Sequence, residues 1–114
     1  MEADVLPPLV RTAASGYAHL LRARFGERLL DVRVFGSYAR GDADEDSDLD
    51  VAVVVRDLTE AERTVAIDLA WTARGRAHDA PIVAPLVWSD RERDDRLRAE
   101  RRIARDILAE GIPL

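Results

Sequence analysis

Residues 34–51 read Val34-Phe35-Gly36-Ser37-Tyr38-Ala39-Arg40-Gly41-Asp42-Ala43-Asp44-Glu45-Asp46-Ser47-Asp48-Leu49-Asp50-Val51. A short β-prone run, Leu29 to Phe35, ends on Gly36-Ser37, and a second, Leu49 to Val55, starts inside Asp48-Leu49-Asp50. The nearly continuous valines of the second run predict a strand buried on both faces. Side chains two apart along a strand share a face. Asp48 and Asp50 therefore set two carboxylates together where that strand emerges, and such a pair can hold a hard cation such as Mg²⁺ through oxygen. Gly36 lets the backbone approach a ligand closely. A strand–Gly–Ser–turn offers N–H groups and a hydroxyl to a phosphate. Arg40 can reach a phosphate or pair with a carboxylate of the loop, and the spacing leaves both open. If the two strands are antiparallel neighbours, the end of the first lies beside the start of the second, and the phosphate cradle meets the metal clamp.

The flanking segments alternate in period. Leu9, Val10, Ala13, Ala14, Tyr17, Leu20, Leu21 and Phe25 recur at helical spacing, bounded by Pro7-Pro8 and Gly26. Thr59 with Glu62 is a capping-box pattern that opens a helix to about Arg74, with Gly75 as its stop. Ile82 to Trp88 predicts a third strand, and Pro85 within it argues for an edge or a bulge. Ser89 with Glu92 is a second capping box, opening one long helix from Asp90 to about Glu110 that Gly111 and Pro113 end. The order is α-β-β-α-β-α, with room for one helical turn after Gly36. It predicts an α/β (α+β) chain: one domain over residues 1–114, with a small mixed sheet and packed helices.

Composition narrows the classes. The chain has 114 residues, 47% hydrophobic and 34% charged, enough to bury a core. It has no Cys, which excludes a disulfide scaffold and a Cys-ligated metal site. No apolar run approaches the roughly 20 residues that span a bilayer, and the first 15 residues lack the basic-then-apolar pattern of a secretory signal. The expectation is a cytoplasmic protein with no membrane partner. All 17 basic residues are Arg. Of the 22 acids, six lie in residues 42–50; without them 16 acids face 17 bases, so the net charge of −5 belongs to that one loop.

At Gly36-Ser37, ten residues, then Asp48-Leu49-Asp50, with Ala39-Arg40-Gly41 and Ser47 in place, the sequence resembles the minimal nucleotidyltransferases of the DNA-polymerase-β-like superfamily. The closing Glu110-Gly111-Ile112-Pro113-Leu114 is similar to the end of many of these small proteins. The resemblance implies the polymerase-β-like nucleotidyltransferase core. It also implies a Mg²⁺-dependent enzyme that binds a nucleoside triphosphate, usually ATP, and transfers AMP to an acceptor hydroxyl. Gly36 and Ser37 would hold the triphosphate, joined by Arg40, and Asp48 and Asp50 would be the catalytic metal ligands. Many stand-alone members resemble antitoxins of toxin–antitoxin pairs, whose partner is a small helical HEPN-domain RNase silenced by AMP on a tyrosine. The family usually carries a third carboxylate on the next core strand. Here that strand, Ile82-Val83-Ala84-Pro85-Leu86-Val87, has no acid, and Asp79 three residues earlier is the candidate replacement. The gap keeps a second reading open: a weak or inactive module of the same fold that neutralises its partner by binding.

Other features read more plainly. The alternating acids from Asp42 fail as an EF-hand, since Ser47 stands where the loop needs Gly and Val53 where it needs Glu. Asp42 to Asp46 read as a solvated loop and Ser47 as a turn residue. His19 and His78 have no second His at ligand spacing. Trp71 and Trp88 are expected in the core. The arginines of the last helix, matched by nearly as many acids, read as a salt-bridged face to which direct nucleic-acid binding is not assigned.

Overall fold

The computed structural model describes residues 5–74, 80–99 and 101–114. Helix α1 spans Pro8–Phe25 and leads through a 3₁₀ turn at Gly26–Arg28 into β1, Leu29–Phe35. A single helical turn, α2 at Ser37–Arg40, precedes the acidic loop and β2, Leu49–Val55. Helix α3 is Glu60–Arg74, β3 is Val83–Ser89, and α4, α5 and β4 follow at Asp90–Arg98, Arg102–Glu110 and Ile112–Pro113. The sheet order is β3-β2-β1-β4, with β1 antiparallel to β2 and β4 and β2 parallel to β3. Strand β3 lies at an edge, where Pro85 leaves no central ladder bond unmade.

Strand β2 explains the layering. Leu49, Val51, Val53 and Val55 point to one face and bury against α1 and α3 through Tyr17, Leu21, Ala66 and Ala70. Asp50 and Ala52 have the opposite parity, and Ala52 packs with Trp88, Ala104 and Ile107 on the other face. A β2 valine moved from water into such a core contributes about 2 kcal/mol, which makes the central strand the best-anchored element. No helix among the described residues is long and apolar enough to cross a membrane.

The face between α1 and α3 buries a phenol. The Tyr17 hydroxyl, pushed up by burial, donates to the Ala66 carbonyl at 2.7 Å. Tyr17→Phe removes that bond with little change of shape, and urea unfolding should show a loss of about 1 kcal/mol.

Both capping boxes form. Ser89 Oγ accepts from the Glu92 N–H at 3.1 Å, and Glu92 accepts from the Ser89 N–H at 2.9 Å. Thr59 and Glu62 make the same reciprocal pair at 3.2 and 3.1 Å. Glu62 also receives both Arg28 guanidinium nitrogens, at 2.6 and 2.8 Å. These bonds hold the Glu62 carboxyl at about 2, below its ordinary 4.5. The unfolded chain takes up this proton near 4.5 and the folded chain near 2, so the contribution is complete above the first value and lost as pH falls towards the second. Glu62→Gln should therefore flatten the acid-unfolding curve within that window and leave its slope above pH 5 unchanged, as read by circular dichroism.

Three expectations need correction. The long last helix breaks after Arg98, and Arg101 takes extended angles before α5 begins. A straight helix from Asp90 to Glu110 would be about 31 Å long, against about 23 Å for a seven-residue strand, and would overrun the sheet. The break folds α5 back so that Ala104 and Ile107 cover Ala52 and Phe35. Residues 112–113, read as helix termination, add a short strand to β1, extended by the Leu114 N–H donating to Val32 O at 2.9 Å. Trp88 is buried as expected, under the Arg96 guanidinium at 4.9 Å, but Trp71 is 63% exposed on the outer side of α3.

Candidate active site

The antiparallel register of β1 and β2 sets Val34 opposite Val51 and Phe35 opposite Asp50. The condition posed by the spacing is met, and Gly36 arrives at the Asp50 carboxylate. Gly36 has φ 72° and ψ −150°, a region essentially reserved for glycine. A Cβ there would collide with Asp50 Oδ2 and lie 3.3 Å from its Cγ. The chain then turns immediately into α2, with the Ala39 and Arg40 N–H groups both donating to Gly36 O at 3.1 Å. No side chain caps α2.

Asp50 is half-buried, and its pKa is raised, first by burial and then by the Asp48 charge, against a smaller opposing pull from Arg40. A carboxylate whose ionisation is opposed in this way is one that a bound cation relieves. Among the described residues no three Asp, Glu or His side chains converge as a closed metal cage. Two carboxylates suit Mg²⁺, which usually keeps several waters and completes its shell with substrate phosphates.

Each carboxylate of this pair lines its own cleft. One, of about 530 Å³, is lined by Gly36, Ser37, Arg40 and Asp50 and walled by Arg102 and Asp106 of α5. The other, of about 590 Å³, is lined by Asp48, Tyr38 and the acidic loop. Asp48 precedes the first residue of β2, is exposed, and lines the second cleft while Asp50 lines the first. Arg40 pairs with the loop, its Nε 3.5 Å from Asp42 Oδ2 in an exposed pair, and it also borders the cleft of Gly36 and Ser37. Ser47 is a turn residue, accepting from the Asp44 N–H at 3.0 Å and donating to Asp44 Oδ1 at 3.2 Å.

The contribution of α5 was missed in the sequence. Arg102, Asp106 and Glu110 recur every four residues on one face and line the first cleft, with Arg102 Nε 3.6 Å from Asp106 Oδ2. That stripe is visible in the sequence, but only the break before α5 aims it at Asp50. Strand β3 sets Ala84 directly beside Asp50, so the next strand offers no carboxylate at that level. Asp79, Gly75 and His78 lie outside the described residues. His19 is exposed on α1, away from both clefts.

The sheet order and the Gly36–Asp50 juxtaposition define the chain as one of the small mixed-sheet nucleotidyltransferase folds. It belongs to the nucleotidyltransferase domain family, whose model matches residues 18–108. It is 42% identical over 48 residues to the protein adenylyltransferase MntA of Thermococcus cleftensis, over 42% of this chain and 46% of that protein. It is 37% identical over 60 residues to a Methanocaldococcus jannaschii protein, MJ0141, also named as a protein adenylyltransferase, over 50% of this chain and 61% of that one. The chain thus matches about half the length of these curated relatives. A solved structure described as a minimal nucleotidyltransferase superposes with a TM-score of 0.59 at 30% identity, over 91% of both chains. A toxin–antitoxin structure with AMP-PNP shares the fold with a TM-score of 0.57 at 24% identity, over 88% of this chain and 70% of that one.

Proposed function

We propose that this chain is a Mg²⁺-dependent nucleotidyltransferase that moves AMP from ATP to an acceptor hydroxyl, working as a single domain in the cytoplasm. The observation that carries the reading is the β1–β2 register, which holds Gly36 and Ser37 against Asp50. Asp48 and Asp50 would hold Mg²⁺, which would supply charge neutralisation at the phosphates when bound. Gly36 leaves room for the triphosphate beside Asp50, Ser37 offers its hydroxyl, and Arg40 adds a cation at the cleft wall. The acceptor oxygen bonds to the α-phosphorus, the bond from that phosphorus to the bridging oxygen breaks, and pyrophosphate leaves. The hydroxyl proton passes to water or to a carboxylate at the site. Positioning and electrostatics supply most of such a catalysis.

The acceptor we assign is a tyrosine of a helical HEPN-domain partner, which places the chain as the antitoxin of a pair. Support comes from the two partial relatives named as protein adenylyltransferases and from the fold shared with a toxin–antitoxin structure. The test is mass spectrometry of the partner after incubation with the purified chain and MgATP. The expected result is a gain of AMP on a tyrosine peptide, and an unmodified partner would overturn the reading.

One observation favours a second reading. Ala84 stands beside Asp50 where a third carboxylate would help to activate the acceptor. In that reading the chain binds nucleotide and silences its partner by covering it. A variant with both Asp48 and Asp50 changed to Asn that still neutralises the partner supports masking; one that forms the complex without neutralising it excludes masking alone.

A further inference from the structure

We infer that the cleft on the Asp48 side is the acceptor subsite, and that it takes a polypeptide segment whose hydroxyl-bearing residue is flanked by basic residues. The inference rests on the nucleotidyltransferase reading above. In displacement at phosphorus the attacking and leaving oxygens lie roughly in line on opposite sides. The Gly36–Ser37–Arg40 cleft, lined also by Asp50, takes the leaving pyrophosphate, which leaves the cleft lined by Asp48 for the incoming hydroxyl. That cleft, at about 590 Å³, has room for several residues of chain.

Its lining chooses among acceptors. Among the described lining residues are four carboxylates, Asp44, Glu45, Asp46 and Asp48, and one guanidinium, that of Arg74. The field they make is felt locally: the Tyr38 phenol is pushed up by burial and then by Asp44 and Asp48. A phosphate backbone is repelled from such a cleft, and an arginine or lysine side chain is drawn in. The rest of the lining is apolar: Leu9 and Ile82 are 52% and 44% exposed there, with Val10 beside them. This suits an aromatic or aliphatic side chain better than the hydroxyl-covered surface of a sugar. Glu45 and Asp46 are exposed, whereas Asp44 braces the loop by accepting from the Asp46 N–H at 2.9 Å.

The test is fluorescence anisotropy with the full chain and two labelled synthetic pentapeptides, Ala-Arg-Tyr-Arg-Ala and Ala-Glu-Tyr-Glu-Ala. The basic peptide should bind about ten-fold tighter or better, and Glu45→Lys with Asp46→Lys should reduce that preference at least about five-fold. Asp44 is left in place so that the loop keeps its brace. A fluorescent ATP analogue, titrated separately, should bind the wild-type chain, and bind the double variant no more weakly, since the change of charge favours a triphosphate while it disfavours the basic peptide. Equal binding of the two peptides, no binding of the basic one, or a preference untouched by the double variant overturns the inference. If the ATP analogue fails to bind the wild-type chain, the nucleotidyltransferase reading fails, and the acceptor role fails with it whatever the peptides do.

Discussion

Changing Asp48 and Asp50 together to Asn should lower AMP transfer by about a thousandfold or more while the folded chain survives intact. The two changes keep side-chain size and remove the Asp48 charge from one cleft and the Asp50 charge from the other. Loss of a single well-placed electrostatic stabiliser commonly costs 10²–10³ in rate, and here the whole carboxylate pair goes. Stability should move the other way. Burial and the Asp48 charge raise the Asp50 pKa, so folding opposes its ionisation, and the ionised carboxylate weakens the folded state above the unfolded pKa. Asn removes that opposition, so thermal unfolding at neutral pH should be unchanged or moved slightly upward. Radiolabel transfer from α-labelled ATP and a melting curve on the same preparation measure the two effects. Transfer that persists in the double variant would remove Asp48 and Asp50 from the chemistry, and a collapsed melting curve would make them structural.

Gly36→Ala should be nearly as damaging by a different route. Its φ of 72° with ψ −150° is open to few residues besides glycine, and the added methyl would strike the Asp50 carboxylate. Strain of this kind costs of order 1–3 kcal/mol, and the displaced carboxylate adds to it because Asp50 is paired on both sides, to Phe35 and to Ala84. We expect a loss of about 3 kcal/mol in urea unfolding and little binding of a fluorescent ATP analogue even under conditions where the variant stays folded. Serine at the same position should behave like alanine, since the backbone angle and the clash are common to both. Wild-type affinity in either variant would show that the approach of Gly36 to Asp50 does not build the nucleotide cleft.

How much of this was legible beforehand depended on the range of the interaction that decides each element. The first helix, the first two strands, the helical turn after Gly36 and both capping boxes were read from neighbours a few residues apart, and they stand as read. The meeting of Gly36 with Asp50 was readable as a condition on strand pairing, and the register meets it. The last third of the chain was not readable in this way. Leu97, Ala104 and Ile107 keep one helical stripe through the break, so periodicity alone gives no sign that the helix turns back. The limit is the length of the strands beneath it, a property of three other segments. For the same reason Arg102 and Asp106 read as solvated charge until α5 is placed over Asp50. Trp71 shows the opposite failure: its chemistry argues for burial, and only the packing of α1 against the other side of α3 leaves it outside.

Asp50 is the second residue of β2, a strand paired with β1 on one edge and β3 on the other and buried at nearly every position. The central amides of such a strand belong to the class that exchanges hydrogen only when the whole molecule opens, whereas the exposed loop around residues 44–46 belongs to the class that opens locally at little cost. The chemistry is thus tied to global unfolding and the rim to local breathing. Such a molecule can reshape the mouth of its site to admit different acceptors without loosening the carboxylate at its centre, and heat should remove activity and fold in one event.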